Sequence, residues 1–321
     1  MPLLSSLDVG SNTVRLLVAE TAPPNNFRPL RVERRITRLG GSFSAEGELD
    51  EASIERTCEA IRTLAGMARA EGAEKIFAVG TGVLRRAKNR EVFLERVRKE
   101  AGVPIRVISG EEEGRLMLKG VLSSLEHSAT PRLVADTGGW STEILWVEKK
   151  EIAHAVSLEL GVVSLAENFL RNDPPGTGEL AALETNIRSV LQDTRGKWER
   201  AGRDLGRLNA AMAGTAGTAT TLAAIDLGLE VYDPLKINGH RIPAPDLERI
   251  YDRLRSMPSP QRRGIPGLEE GREDLIVPGA LIFRTELQVF GLSSLEVIDS
   301  GLLEGVLIEC GMRNSECGIL S

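Results

Sequence analysis

Two stretches of this chain place a carboxylate at the end of an apolar run and follow it at once with small and hydroxylated residues. One is "DVGSNT", starting at Asp8; the other is "DTGGWSTE", from Asp136 to Glu143. Glycines at Gly10, Gly138 and Gly139 let backbone approach a ligand without a Cβ in the way. The N–H groups of such a turn can form an anion-binding nest. Ser11, Asn12, Ser141 and Thr142 add polar side chains. Asp136 at a strand end is suited to a hydrated Mg²⁺, with Glu143 placed to hold a metal-bound water and Asp8 as the matching acid of the first stretch. Each loop alone is explained equally well as a glycine hairpin with solvated polar residues. Recurrence of the pattern favours phosphate chemistry.

A third glycine loop, "GTAGTATT" from Gly214 to Thr221, opens a helix. Its N-terminal N–H groups favour an anion, which makes Gly214, Gly217 and Thr218 phosphate-binding candidates. Taken alone, the stretch is better explained by close helix packing through small residues.

In "ISGEEEGRL", Ser109 and Glu112 have the spacing of a capping box. Glu113 is different. Its helical neighbours three, four and seven residues on are Leu116, Met117 and Gly120, so its carboxylate turns inward. Burial there should raise its pKa and suit it to take a proton from water. Arg85 follows a glycine turn at a strand end, where a guanidinium can grip phosphate bidentately. Arg38, before "LGG", is a second such cation. The remaining arginines of the first third, among them Arg28, Arg31, Arg34 and Arg35, read as surface charge or as a basic groove.

These residues need elements to hold them. "PLLSSLDVGSNTVRLLVAE" reads as strand, tight turn, strand, and a basic third strand follows. Helix and strand then alternate up to "EEEGRLMLKGVLSSL". After Pro131 the pattern restarts with "RLVADTGGWSTEILWVE", so the chain contains an internal repeat. Alternation of this kind predicts α/β layers, and two related halves imply a cleft between them. The 321 residues, 41% hydrophobic, suffice for two such domains.

The bulk properties exclude several classes. A net charge of −6 disfavours general nucleic-acid binding. Three scattered cysteines, Cys58, Cys310 and Cys317, fit a reducing compartment rather than a disulfide framework. Three dispersed histidines make a histidine metal site a poor expectation. The N-terminus is too short and polar for a signal peptide. Leu208–Ile225 is long enough to span a bilayer, but its glycines and threonines read as strand, loop and helix. The cytoplasm, with no membrane partner, is the expected location.

Taken together, "LDVGSNTVRLLVAE", "TRLGG", "NREVFLERVRKEAGVPIRVISGEEEGRL", "DTGGWSTE", "GTAGTATTLAA" and "GLLEGVLIE" resemble the exopolyphosphatase and guanosine pentaphosphate phosphatase family. "YDPLKINGHRI" and "PGLEEGREDLIVPGALI" fit it too. The likeness runs from about residue 3 to 310.

The resemblance implies two duplicated actin-like, ribonuclease-H-like α/β domains around a cleft. The first would span 1–124, with the C-terminal helix 302–321 returning to it, and the second 125–301. It makes Asp8 to Asn12 the first phosphate loop and Asp136 to Ser141 the second. It makes Glu113 the catalytic acid, Arg85 the phosphate-gripping arginine, and Asp136 and Glu143, with Asp8 nearby, the Mg²⁺ region. Three positions depart from the family pattern. Trp140 replaces a glycine, Leu303 a cation, and Arg86 an acid.

The implied activity is removal of the terminal phosphate of inorganic polyphosphate. Guanosine pentaphosphate hydrolysis and a non-catalytic guanosine polyphosphate sensor are the alternatives, with a kinase or ATPase of the same superfamily as a third. A homodimer is compatible with the sequence.

Overall fold

The computed structural model describes residues 1–22, 26–44, 46–124, 132–202, 205 and 211–312. The chain divides into two compact units, Met1–Ser124 with Ser300–Ser321, and Leu125–Asp299. Part of the glycine-rich stretch near Leu208 and the end of the C-terminal segment, Cys317 included, fall outside the described residues.

In the first unit, β1 (Leu3–Val9), β2 (Thr13–Ala22) and β3 (Asn26–Ile36) form an antiparallel meander. Parallel strands β4 (Lys75–Gly80) and β5 (Ile105–Val107) extend it, giving the order β3-β2-β1-β4-β5. Helix α1 (Glu51–Ala70) begins at Asp50, whose carboxylate accepts from the Ser53 N–H. Its buried residues Ile54, Cys58, Ile61, Leu64 and Ala68 recur at helical spacing, which is why this face packs on the sheet. A 3₁₀ turn (Gly82–Arg85) and α2 (Arg90–Ala101) lead from β4 to β5.

Helix α3 (Gly110–Ser124) pairs in this unit with α11 (Leu302–Met312). Their contact rests on glycine. A Cβ on Gly120 would lie 1.8 Å from the Gly301 carbonyl oxygen, and one on Gly305 would lie 1.8 Å from that of Leu116. Side chains on the two helices, such as Leu116, Leu303, Val306 and Leu307, then fill the core with Leu17 and Phe77 of the strands. Gly305→Ala is expected to destabilise the protein by about 1–3 kcal/mol, because backbone has to move to admit the methyl. Thermal unfolding of the variant checks this.

The second unit repeats the plan. Strands β6 (Arg132–Thr137), β7 (Thr142–Glu148) and β8 (Glu151–Leu158) form the meander. Strands β9 (Ala211–Thr215) and β11 (Ser294–Val297) extend it in parallel, and β10 (Arg241–Pro243) adds an antiparallel edge. The order is β10-β11-β9-β6-β7-β8. Read from the meander outward, β8-β7-β6-β9-β11 matches β3-β2-β1-β4-β5.

Helices α4 (Val162–Phe169) and α5 (Thr177–Arg200) follow the meander. Helices α6 (Ala216–Asp226), α8 (Ala244–Ser256) and α10 (Ile276–Phe290) pack with them around a large apolar core. The one-turn helices α7 (Pro234–Ile237) and α9 (Ser259–Arg262) and strand β10 were not foreseen from the sequence. Each is too short to show a period. Among the described residues no helix is long and apolar enough to cross a membrane.

Candidate active site

Asp8 is the penultimate residue of β1, and the register sets it directly opposite Arg15 on β2. Arg15 Nε and Nη2 donate to Asp8 Oδ2 at 3.2 and 2.9 Å. Asp8 Oδ1 is buried and makes no hydrogen bond. The acid expected near a metal therefore has a cation of the chain at its side.

Beyond it the hairpin turns tightly, with the Gly10 N–H donating to the Thr13 carbonyl at 3.1 Å. Ser11 is buried, and its hydroxyl oxygen accepts the Val83 N–H at 2.8 Å. That bond ties the hairpin to the 3₁₀ turn that carries Arg85. The carbonyls of Ser11 and Asn12 accept from Gly40, and from Thr37 and Arg38, so the "TRLGG" segment lies on the hairpin tip. Arg38 has φ of 51°, a left-handed conformation that a non-glycine residue adopts only where its surroundings impose it.

Arg85 forms an ion pair with Glu113, the two groups expected from sequence to grip phosphate and to accept a proton. Glu113 is buried and Arg85 mostly so, and the guanidinium offsets the carboxylate's charge. The inward face of α3 is as its spacing predicts: Glu113, Leu116, Met117 and Gly120 are all buried. The capping box is only half made. Ser109 Oγ accepts the Glu112 N–H at 3.1 Å, but the Glu112 carboxylate turns to Arg106, with one bond of 2.8 Å. An ion pair with a nearby guanidinium outweighs a bond back to one N–H.

In the second unit, Asp136 and Glu143 stand directly opposite one another on β6 and β7. Thr215 flanks Asp136 on β9, and Ser157 flanks Glu143 on β8. Directly opposed residues share a face, so these four side chains form a polar row across the sheet. Ser141 Oγ and Ser157 Oγ both donate to Glu143 Oε1, at 2.9 and 2.7 Å.

The loop between the acids is fixed from behind. The Gly138 carbonyl accepts from Val162 at 3.1 Å, and the Gly139 carbonyl from Val163 at 2.8 Å, both N–H groups of the first turn of α4. In a trans peptide the N–H points opposite to the carbonyl. The Gly139 and Trp140 N–H groups thus face away from α4. Trp140 has no positive φ, so its backbone does not require glycine, and its ring packs against the core of the unit.

This arrangement needs Gly161. A Cβ there would lie 2.2 Å from the Trp140 Cα and 2.3 Å from the Gly139 oxygen. Gly161→Ala is expected to displace the loop and lower kcat/KM by about 10²-fold, as misplacement by an ångström does. Steady-state kinetics with phosphate detection tests it.

The third loop takes the packing alternative of the two that its sequence offered at Gly214. A Cβ on Gly214 would meet Leu295 at 2.6 Å and Phe283 at 3.0 Å, so core packing accounts for that glycine. Thr218 is buried, and its hydroxyl donates to the Thr137 carbonyl at 3.1 Å, joining α6 to the end of β6. Gly217 lies under the guanidinium of Arg272, which a Cβ would approach to 2.4 Å. Arg272 and Arg15 are two cations beside glycine loops that sequence reasoning passed over. Register and packing place them, and neither leaves a local motif. The Arg272 Nε donates to Glu269 Oε2 at 2.6 Å, so this guanidinium has a carboxylate of the chain beside it.

Among the described residues there is no group of three metal-ligating side chains. The donor set nevertheless fits Mg²⁺. Asp136 and Glu143 are buried like charges side by side, a cation relieves their repulsion, and Mg²⁺ needs only one or two carboxylates with water.

The sequence model of the Ppx/GppA phosphatase family matches residues 17–313, and the chain belongs to that family. It is 30% identical to Exopolyphosphatase 2 of Mycobacterium tuberculosis over 325 residues, covering 95% of this chain and 97% of that protein. Exopolyphosphatase 1 of the same organism is 29% identical, with 95% and 87% covered. A solved Ppx/GppA family member from Aquifex aeolicus superposes with a TM-score of 0.79 at 31% identity, covering 98% of this chain and 99% of that one. An exopolyphosphatase-like protein gives 0.87 at 26% identity, with 97% and 99% covered. Each unit is a mixed α/β layer structure, the whole has the fold of the solved Ppx/GppA family members, and the protein is a phosphoanhydride hydrolase.

Proposed function

We propose that this protein is an exopolyphosphatase, removing the terminal phosphate of inorganic polyphosphate with Mg²⁺. The observation that carries the reading is the buried Glu113–Arg85 pair at the start of α3. It joins a proton acceptor to a phosphate-gripping guanidinium. Glu113 takes a proton from water, and the water oxygen bonds to the terminal phosphorus. The bond to the bridging oxygen breaks, orthophosphate forms, and the shortened chain leaves as an anion.

Arg85 is a donor for the phosphoryl oxygens. Asp136 and Glu143 would hold Mg²⁺, which when bound supplies positive charge for the phosphoryl oxygens. The glycine loops support a substrate rich in phosphate, and the relatives named exopolyphosphatase support a polyphosphate chain.

Phosphate release from polyphosphate and from guanosine pentaphosphate, measured side by side with and without Mg²⁺, tests the proposal. Release from polyphosphate that requires Mg²⁺ is the expected result. Faster release from guanosine pentaphosphate would move the substrate to that nucleotide. Tight nucleotide binding with no release from either would identify a sensor.

A further inference from the structure

We infer that Ser157 is a positioning residue that fixes Glu143 for a divalent cation. The inference rests on the reading above, in which Asp136 and Glu143 hold Mg²⁺. Ser157 lies on β8, two strands from Asp136, and comes fourteen residues after Glu143 in sequence. Only the register of β7 on β8 brings the two together. Its hydroxyl donates to Glu143 Oε1 at 2.7 Å, beside the bond of 2.9 Å from Ser141. Two hydroxyls on one carboxylate oxygen fix the plane of the group and leave it little rotation. A ligand held this way is ordered before the cation arrives, and outer partners of this kind tune metal affinity.

The internal repeat strengthens the argument. Seven residues after Asp8 stands Arg15, and seven after Asp136 stands Glu143. Each is the direct cross-strand partner of its aspartate. One strand further out, Arg15 faces Arg34, and Glu143 faces Ser157. The equivalent rows are therefore Asp–Arg–Arg in the first unit and Asp–Glu–Ser in the second. The first carries its cations in the chain. The second replaces the inner one with a carboxylate and the outer one with a hydroxyl that donates to it. A row of that composition is completed by a cation from solution.

Ser157 is solvent-exposed, so its replacement removes this bond without opening the core. The test is Mn²⁺ binding to the full chain without substrate, followed by electron paramagnetic resonance of free Mn²⁺. Ser157→Ala is expected to weaken binding about tenfold, the lower end for outer partners of a metal ligand. Ser157→Thr keeps the hydroxyl on a strand and should bind like the parent. In phosphate release, the Mg²⁺ concentration for half-maximal rate should rise by the same factor in Ser157→Ala.

Wild-type Mn²⁺ affinity in Ser157→Ala, or equal weakening in Ser157→Thr, overturns the inference. Glu143→Gln separates the two levels. If it loses Mn²⁺ while Ser157→Ala does not, only the role of Ser157 fails. If it binds as the parent does, the metal reading fails and takes the inference with it.

Discussion

Glu113→Gln is expected to lower phosphate release by about 10² to 10⁴-fold, the range for removing a general base. The amide matches the carboxylate in shape, so the inner face of α3 keeps its packing against Leu116 and Met117. What it lacks is an acceptor for the water proton. The substitution also removes the charge that faces Arg85, whose side chain is 20% exposed. A modest loss of thermal stability should accompany the kinetic loss, because a partly buried guanidinium loses the charge of Glu113. The two effects separate the catalytic reading from a structural one. A pair that only braced the 3₁₀ turn against α3 would give a lower Tm with turnover near that of the parent, and that result would remove Glu113 as the base. Arg85→Gln provides the complementary measurement. It should raise KM and lower kcat together if the guanidinium binds phosphoryl oxygens as well as Glu113.

The parts of this molecule that were legible in its sequence are those governed by local period. Alternating apolar residues around "DVGSNT" and "DTGGWSTE" predicted both hairpins, and the strand order within each unit shows the same plan twice. The inward turn of Glu113 followed from helical spacing alone, and the structure buries it as read. The parts that were not legible depend on register or on distant packing. Asp8 pairs with Arg15 because two strands align residue by residue, and nothing in "DVGSNTVR" states that alignment. Gly214 was open to a ligand or a packing role, with packing the better explanation, but its sequence could not name the atoms that exclude a side chain there: they belong to Phe283 and Leu295, some 70 to 80 residues later in the chain. Gly217 likewise meets Arg272. Trp140 stands where the family pattern has a glycine, and its sequence does not state the sign of φ there. The loop carbonyls are held by α4, and that position takes an ordinary φ.

A second large effect is expected far from the loops. Glu286 on α10 is fully buried, and neither carboxylate oxygen has a hydrogen-bond partner. One turn to either side on the helix lie Ile282, Phe283, Val289 and Phe290, all buried. Burial alone pushes its pKa up to about 8, from an ordinary value of 4.5. Between those two values the folded chain binds a proton that the unfolded chain releases, so stability must fall as pH rises. The contribution is intact below pH 4.5 and declines until the pH passes about 8. At pH 7 it amounts to a penalty on the order of 3 kcal/mol relative to a group that stays neutral. Glu286→Leu removes the ionisable group and fills its place with apolar volume, and should raise the unfolding temperature most at high pH. Glu286→Gln should flatten the pH dependence with a smaller gain, because a buried amide without partners retains a desolvation cost. Thermal unfolding at pH 5.5 and 8.5 measures both, with the difference between variant and parent isolating this group from the other titrating residues. Parallel profiles for the parent and Glu286→Leu would mean that Glu286 reaches water or a partner in solution, and the core around α10 would then be more open than its packing indicates.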